Sequence, residues 1–266
     1  MLAGRPDTPV ELPDSLRRVI GTRSHEVVWR NVLGGLTVEV GVRPRSVHVK
    51  WVPWASGLDL ERERTRLDWA GAFTAVPRVV EHGRDDAGQW LVTATIDARS
   101  AVDPVWQRDP RHTTRVLGEG LRRLHESLPV ASCPFTWSLD ERRDSARRRH
   151  RESALGVEWS EKLPGVALGD AFDALDALGS QARGDLVVCH GDACAPNTLI
   201  DAKGDFAGHV DLGALGVADR WADLAILAWS TEWNYGPGWE SALYDAYGIA
   251  PDEQKVRTYR LLWELE

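Results

Sequence analysis

Residues 186–200 read LVVCHGDACAPNTLI, and residues 209–213 read HVDLG. The first stretch predicts an apolar strand that runs into a tight His-Gly-Asp turn ending at Asp192, with the amide of Asn197 five residues later. The second stretch predicts a strand that ends in another carboxylate, Asp211. Two carboxylates and one amide at strand ends are oxygen ligands that suit a hard divalent cation. Of the three groups, Asp192 is the one placed to accept the proton of a hydroxyl nucleophile.

The order of these groups is more informative than any one of them, because Asp and Asn are frequent turn residues. A His-x-Asp turn is followed by an Asn and then, about twenty residues after the turn, by an Asp-x-Gly. Protein kinases have this layout in their catalytic loop and metal-binding Asp. Gly191 stands where those enzymes have Arg. The pattern therefore predicts a phosphoryl-transfer site.

Length and composition limit the classes of protein to consider. The chain has 266 residues, 43% of them apolar, which predicts a globular protein with two lobes. No run of 18 apolar residues is present, so no membrane span is expected, and the polar N-terminal stretch lacks the pattern of a secretory signal. Three cysteines without a CxxC pair predict neither a disulfide framework nor a zinc site. The cytoplasm is the expected compartment.

Charge is distributed unevenly along the chain. From Glu152 onward there are 7 Lys and Arg against 20 Asp and Glu, while the whole chain has a net charge of −8. An acidic half argues against nucleic-acid binding and would attract a cationic partner, although acidic surfaces can also serve solubility alone. The arginine run at 142–151 is interleaved with acidic residues, which favours a solvated helix face over a nucleic-acid patch.

The residue pattern predicts an α+β fold. Asp14 and Ser15 are expected to cap a short helix. Segments rich in Val and Trp predict five strands, with one helix after the third. Helical spacing dominates the rest, interrupted by three short strands. The predicted strands are 26–29, 36–42, 46–52, 76–80, 89–96, 186–189, 198–200 and 208–210, and the longer predicted helices are 58–73, 113–128, 138–155, 170–178, 220–233, 239–247 and 252–265.

Two further stretches resemble a known family. Residues 213–225, GALGVADRWADLA, resemble the pattern G-R-x-G-x-A-D-[RK]-x-x-D-[LI]-A, and residues 259–266, YRLLWELE, resemble Y-x-L-L-D-E-F-F. Together with H-G-D-x-x-x-x-N, these patterns are similar to those of the aminoglycoside phosphotransferases, most closely the 3′-phosphotransferases. The resemblance runs from about Ser15 to the end of the sequence.

The resemblance implies a bilobal protein-kinase-like fold. A nucleotide-binding lobe with a five-stranded antiparallel sheet and one helix would span residues 1–95, and a mostly helical catalytic and acceptor-binding lobe would span 96–266. The implied reaction transfers the γ-phosphate of ATP or GTP, with Mg²⁺, to a hydroxyl of a cationic acceptor, an aminoglycoside. That activity would be one of antibiotic resistance.

The resemblance also implies roles for individual residues at the catalytic centre. Asp192 would be the catalytic base, and Asn197 and Asp211 would hold Mg²⁺. Lys50, on the third strand, would bind the α- and β-phosphates, and Glu63 on the following helix would orient Lys50.

Further residues are expected around the nucleotide. Glu61 is the second choice as partner of the lysine. By resemblance, Gly34 and Gly35 fall at the hairpin that covers the phosphates, although a Gly-Gly pair is also a common turn. Main-chain groups of Thr93 and Thr95, between the lobes, would bind the adenine edge.

Acidic residues are expected to bind the amines of the acceptor. Glu158 and Glu161 are the candidates in a helical insert, and Glu264 and Glu266 are the candidates at the end of the sequence. Several of the thirteen Trp residues could line an aromatic pocket for sugars or other rings, with core packing as the alternative.

Two departures from the family pattern keep alternatives open. Trp263 replaces an Asp that would bind an amine, and Ala214 replaces an Arg close to the metal-binding Asp. One alternative is a kinase of the same fold for another small molecule, such as a metabolite, a macrolide or a peptide antibiotic. Another is a catalytically dead nucleotide-binding module. A protein kinase is disfavoured, because residues 211–223 leave no room for a long activation loop.

Overall fold

The structure, a computed structural model, describes residues 4–6, 8–152, 167–179 and 186–266. It divides into two units, the first made of Met1–Ala98 with Ala207–Gly213 and the second of Arg99–Phe206 with Ala214–Glu266. The boundary predicted between residues 95 and 96 stays a prediction. The observed division lies three residues further on, and it adds the short segment that contains Asp211 to the first unit.

The first unit is built on one antiparallel sheet of five strands in the order β1-β2-β3-β5-β4. Short hairpins join neighbouring strands, except that helix α2 lies between β3 and β4. The elements are α1 Asp14–Ile20, β1 His25–Arg30, β2 Leu36–Val40, β3 Val47–Pro53, α2 Leu60–Ala70, β4 Val79–Arg84 and β5 Gly88–Ala94.

The core of this unit follows from alternating side chains. In β2, Leu36, Val38 and Val40 are buried while the residues between them are half-buried. Because successive side chains of a strand point to opposite faces, these three lie on one face of the sheet. Leu16 and Ile20 of α1 pack into the same apolar cluster.

Two expectations for this unit were wrong in detail. The strand predicted at 76–80 begins at Val79 and continues to Arg84, since Pro77 has no N–H to donate to a ladder. Asp14 is the first residue of α1 rather than its cap, and the preceding position, Pro13, makes no side-chain capping bond. By contrast, the side chain of Asp59 does cap α2, because it accepts hydrogen bonds from the N–H groups of Glu61 and Arg62.

The second unit is mostly helical. Strand β7 pairs antiparallel with β10, and β6 pairs antiparallel with β8. Its elements are β6 Arg99–Ser100, α3 Pro104–Gln107, α4 Pro110–Ser127, α5 Leu139–Glu152, α6 Leu168–Gly179, β7 Leu186–Cys189, β8 Thr198–Ile200, β10 Gly216–Asp219, α7 Trp221–Tyr235, α8 Glu240–Tyr247 and α9 Glu253–Leu265, with β9 Phe206–His209 leading into the first unit. The sequence did not predict β6, β10 or α3, because these elements are too short to show a repeating pattern of apolar residues.

Helix α7 is the centre of this unit, and the residues of its first two turns are buried on all sides. Helices α4 and α8 approach closely at Gly118, where a Cβ would lie 2.6 Å from the carbonyl oxygen of Leu243. Within the described residues, no helix is both long and apolar enough to cross a membrane.

The arginine run on α5 is not uniformly solvated, contrary to expectation. Arg142 is only 2% exposed, and its guanidinium donates to both carboxylate oxygens of Glu266, at 3.0 and 2.8 Å. The interleaved charges predicted a solvent-facing helix, and this is correct for the exposed arginines of the run. They could not signal that one member of the run faces the end of α9.

Candidate functional site

In the first unit, one lysine joins two carboxylates. Nζ of Lys50 donates to both oxygens of Glu63, at 2.8 and 2.7 Å, and to Oδ1 of Asp211, at 2.9 Å. Lys50 lies in the middle of β3 between β2 and β5, and Glu63 lies on α2 with 6% of its surface exposed. Glu61, the second choice, pairs with Arg64 instead. The structure therefore brings Lys50, Glu63 and Asp211 together.

The electrostatics of this cluster keep Lys50 charged. Burial by itself would lower the pKa of Lys50, but the carboxylates of Asp211 and Glu63 outweigh burial and raise the pKa above its usual value. The ammonium group is therefore a permanent cation, held at a fixed place on a rigid strand. Such a group can bind phosphate oxygens as a point charge.

The backbone of Asp211 is strained. Its φ is 63°, and among the described residues it is the one non-glycine position with a positive φ. A non-glycine residue in this region costs about 1–3 kcal/mol and commonly marks a functional site. The side chain is 47% exposed even though it pairs with Lys50. The strain thus presents a carboxylate to solvent rather than to the core.

In the second unit, Asp192 and Asn197 are joined directly. Nδ2 of Asn197 donates to the main-chain oxygen of Asp192 at 2.9 Å and to its Oδ2 at 3.1 Å. The turn that carries Asp192 is tightened by a hydrogen bond from its own N–H to Nδ1 of His190. Because the amide donates to this carboxylate, the orientation of Asp192 is fixed by the loop itself.

The glycine of the His-Gly-Asp turn has a physical reason. Gly191 has a φ of 86°, and a Cβ there would lie 2.3 Å from the main-chain oxygen of Ala214. No side chain fits at that distance, so the Arg found in protein kinases could not occupy this turn. The turn instead packs backbone against backbone.

No role was predicted from the sequence for Asp223, the residue that binds the backbone of this turn. Asp223 on α7 is completely buried, and its carboxylate accepts hydrogen bonds from the N–H groups of His190, at 2.6 Å, and Gly191, at 2.9 Å. Nε2 of His125 lies 3.0 Å from the same carboxylate, and Nδ1 of His125 lies 2.8 Å from the hydroxyl of Tyr247. The last acidic position of the G-R-x-G-x-A-D-[RK]-x-x-D pattern was the available signal.

These contacts keep Asp223 ionised. Burial would raise the pKa of its carboxyl, but hydrogen bonds from His125 and from the main chain of Gly191 outweigh burial and hold the pKa below its usual value. A charged carboxylate in the core thus fixes the backbone on which Asp192 is carried. Ser230, also on α7, adds a second brace, because its Oγ accepts a hydrogen bond from the N–H of Ala195 at 3.0 Å.

The residues predicted for Mg²⁺ have suitable atoms. Both side-chain hydrogen bonds given above for Asn197 use the NH₂ group of its amide, so the amide oxygen is the atom that a metal ion can bind. Asp211 offers an exposed carboxylate. Neutral and anionic oxygen ligands of this kind suit a hard cation such as Mg²⁺.

A different cluster of possible metal ligands does not fit that role. Among the described residues, His125, Cys189 and Asp223 form the one group of three such side chains with ligand atoms close together. His125 and Asp223 already bind each other through Nε2 and Oδ2. Burial raises the pKa of the Cys189 thiol well above its usual value. A thiol that stays protonated is a poor metal ligand. We interpret this cluster as a structural brace.

The residues predicted around the nucleotide lie on the sheet of the first unit. Gly34 and Gly35 form the β1–β2 turn, where the N–H of Gly35 donates to Oδ1 of Asn31 at 2.7 Å. Thr93 is paired within β5. The N–H of Thr95 already donates to the main-chain oxygen of Ser46 at 3.2 Å, so this donor is used by the fold. The adenine contacts of Thr93 and Thr95 stay predictions.

The residues predicted for the acceptor differ in what the structure shows of them. Glu158 and Glu161 lie outside the described residues. Glu264 is half-buried in the last turn of α9. Glu266 is bound by Arg142, which neutralises its side-chain carboxylate. Its predicted role with substrate amines stays a prediction, and the structure adds a role in anchoring the end of α9 to α5.

Comparison with known proteins identifies the family. The model of the phosphotransferase enzyme family matches residues 37–259. Streptomycin 3″-kinase of Streptomyces griseus is 37% identical over 225 residues, which cover 80% of this chain and 82% of that protein.

Solved structures agree with this match. The crystal structure of aminoglycoside-3′-phosphotransferase of type VIII is 32% identical, covers 95% of this chain and 97% of that one, and has a TM-score of 0.80. The aminoglycoside phosphotransferase APH(3″)-Id from Streptomyces rimosus, in complex with ADP and streptomycin, is 31% identical, with coverage of 94% and 95% and a TM-score of 0.73. The kinase-like fold expected from the sequence is thereby confirmed. The chain belongs to the phosphotransferase enzyme family and, within it, to the aminoglycoside phosphotransferases.

Proposed function

We propose that this phosphotransferase transfers the γ-phosphoryl group of a nucleoside triphosphate to a hydroxyl of an aminoglycoside. The observation that carries the phosphoryl-transfer part is the cluster of Lys50, Glu63 and Asp211, in which a permanent cation lies between a buried and an exposed carboxylate. The acceptor class is supported by relatives named as aminoglycoside kinases and by a relative in complex with ADP and streptomycin.

The nucleotide is handled by the first unit in this proposal. Lys50 binds the oxygens of the α- and β-phosphates, and Glu63 keeps the ammonium group at its place on β3. Asp211 and Asn197 would hold Mg²⁺. When bound, that ion would neutralise the negative charge on the β- and γ-phosphates.

The acceptor hydroxyl is handled by Asp192. Its carboxylate orients the hydroxyl and accepts its proton, while the hydroxyl oxygen forms a bond to the γ-phosphorus. The bond from that phosphorus to the bridging β–γ oxygen breaks in the same displacement, and the electron pair leaves with the nucleoside diphosphate. The hydrogen bond from Nδ2 of Asn197 to Oδ2 of Asp192 holds the carboxylate in one orientation, which is consistent with this role. Transfer is direct, with no phosphorylated form of the enzyme.

A cationic acceptor is supported by the charge of the chain. The sequence from Glu152 onward has 20 acidic against 7 basic residues, and a surface of one sign raises the local concentration of ligands of the opposite sign. Glu264 is the carboxylate that we assign to an acceptor amine. Glu158 and Glu161 remain candidates for the same purpose.

The test is a screen for ADP and GDP release. Purified protein is mixed with ATP or GTP and Mg²⁺, and then with streptomycin, with aminoglycosides that carry a free 3′-hydroxyl, with a macrolide or with a peptide antibiotic. We expect release that depends on an aminoglycoside, and the position of the new phosphate in the product identifies the hydroxyl. Release with a macrolide or peptide antibiotic alone would favour the other small-molecule kinase. Nucleotide binding without turnover of any acceptor would favour the inactive module.

A further inference from the structure

Two tryptophans on α7 form an aromatic pair, of which Trp229 is half-buried and Trp233 is exposed. Trp229 and Trp233 are one helical turn apart, and their ring centroids are separated by 4.9 Å with an angle of 48° between the rings. Trp233 is 50% exposed, whereas Trp51 and Trp221 are 6% and 3% exposed. Trp233 therefore differs from the tryptophans that fill the two cores.

Stability does not explain a tryptophan at position 233. Tryptophan contributes to a fold mainly through the 150–250 Å² of surface that it buries, and Trp233 leaves half of its surface in solvent. It also has a lower helix propensity than Leu, Glu or Lys. Position 233 lies in the last turns of α7, where a charged residue would maintain the helix equally well.

The guanidinium of Arg260 already lies over one face of the Trp229 ring. Cζ of Arg260 lies 5.4 Å from the ring centroid of Trp229. The same guanidinium donates to Glu240 at 2.8 Å and to the main-chain oxygen of Ala225 at 3.3 Å. Arg260 of α9 thus links the indole of Trp229 on α7 to Glu240 on α8.

The pair lies on the helix that braces the catalytic loop. Ser230, next to Trp229 in sequence, accepts the hydrogen bond from the N–H of Ala195, between Asp192 and Asn197. Residues three apart on a helix lie on the same side of it, so Trp233 is on the side of α7 that carries Ser230. On α9, Glu264 follows Arg260 by one turn and shares its side by the same rule.

We propose that Trp229 and Trp233 are an acceptor-binding surface, on which one amine-bearing ring of the aminoglycoside lies with an ammonium group against the exposed indole of Trp233. Among aromatic side chains, tryptophan attracts cations most strongly, and the apolar C–H face of a sugar ring packs on an indole as other apolar groups do. The inference rests on the proposed function, because it names the part of the chain that recognises the same acceptor. It makes Trp229 and Trp233 determinants of acceptor specificity, separate from the chemistry at Asp192.

The experiment compares Trp233→Ala and Trp233→Phe with the wild type, using streptomycin and an aminoglycoside with a free 3′-hydroxyl. Trp54→Ala is the matched control, since Trp54 is 46% exposed and belongs to the first unit. We expect Trp233→Ala to raise the KM of the acceptor about fivefold to twentyfold, with the KM of ATP and kcat within about twofold. Trp233→Phe should keep most of the affinity. Calorimetric titration of the acceptor should show the same order.

The outcomes separate this inference from the proposed function. If the wild type phosphorylates an aminoglycoside and Trp233→Ala matches Trp54→Ala, the acceptor surface is wrong and the function stands. If the wild type binds and phosphorylates no aminoglycoside, the function fails and the surface fails with it. Melting temperatures check folding, and Trp233→Gln, which keeps a long side chain at an exposed helix position, replaces the alanine variant if that one melts early.

Discussion

The loop that carries Asp192 and Asn197 is held in place differently from the end of α9. At the loop, buried groups hold the backbone: Asp223 accepts from the N–H groups of His190 and Gly191, and Ser230 accepts from Ala195. At the end of α9, side chains hold side chains, as in the pair of Arg142 with Glu266. A loop fixed through its backbone keeps its geometry when surrounding side chains change, whereas a helix end fixed through side chains can be altered by a few substitutions.

The largest expected effect comes from the loop itself. Asp192→Ala should lower kcat about 10²–10⁴-fold, because a general base is lost. The Kd of the nucleotide should change less than about twofold, since Asp192 acts on the acceptor. Steady-state kinetics and nucleotide titration measure the two quantities. A variant that turns over at the wild-type rate would remove Asp192 from the reaction.

The brace beneath the loop predicts the largest effect on stability. Asp223→Ala should lower the free energy of unfolding by about 3–5 kcal/mol, because it leaves His125 and two N–H groups buried without their partner. Urea unfolding measures this, with Asp245→Ala on α8, an exposed carboxylate, as the matched control. Equal losses in the two variants would mean that Asp223 is not a brace.

The same brace predicts a dependence of stability on pH. Because the pKa of Asp223 in the folded protein lies below its usual value of 3.8, its contribution is fully present above that value and is lost as the pH falls through the folded pKa. The unfolding free energy of the wild type should therefore drop more steeply below about pH 4 than that of Asp223→Asn. Parallel curves would exclude Asp223 as the group responsible.

A prediction of intermediate size concerns the metal. Asp211→Asn removes an anionic oxygen ligand, so the affinity for nucleotide in the presence of Mg²⁺ should fall about tenfold. Without Mg²⁺ the change should be smaller. Asp86→Asn, an exposed change of equal charge in the first unit, is the control. Affinities in Mg²⁺ that match between Asp211→Asn and Asp86→Asn would show that Asp211 does not bind the ion.

The smallest effect is expected at the end of α9. Glu264→Gln should raise the KM of the acceptor about twofold to fivefold, since a half-exposed charge pair is worth little. The difference from the wild type should shrink as salt rises, because about 0.1 M salt screens charges beyond roughly 10 Å. Glu253→Gln, exposed on the same helix, is the control. A salt-independent difference would point to packing rather than charge.

The contrast also explains what could be predicted from the sequence. Short-range spacing around Asp192 and Asn197 indicated the loop, and Val-rich alternation indicated the five strands. The brace at Asp223 joins residues more than thirty positions apart. The family pattern marked Asp223 as an acidic position, but no local spacing indicated which residues it contacts. The burial of Arg142 was missed for the same reason, because its partner lies 124 residues away.

Strained backbone positions and very short strands could not be predicted from local sequence patterns either. The positive φ of Asp211 and the close approach of Gly191 to Ala214 are set by tertiary packing. Strands of two to four residues, such as β6 and β10, show no period to detect. In this protein, residue spacing does not predict the contacts that orient Asp192 and Asp211.

The most direct test of the account is to identify the product. Wild type and Asp192→Ala are each incubated with ATP, Mg²⁺ and an aminoglycoside panel that includes streptomycin, and the products are analysed by mass spectrometry and ³¹P NMR. The account predicts that the wild type yields an aminoglycoside carrying one phosphoryl group on a hydroxyl, together with one equivalent of ADP, and that Asp192→Ala yields almost none. Release of ADP with inorganic phosphate and no modified aminoglycoside would contradict it.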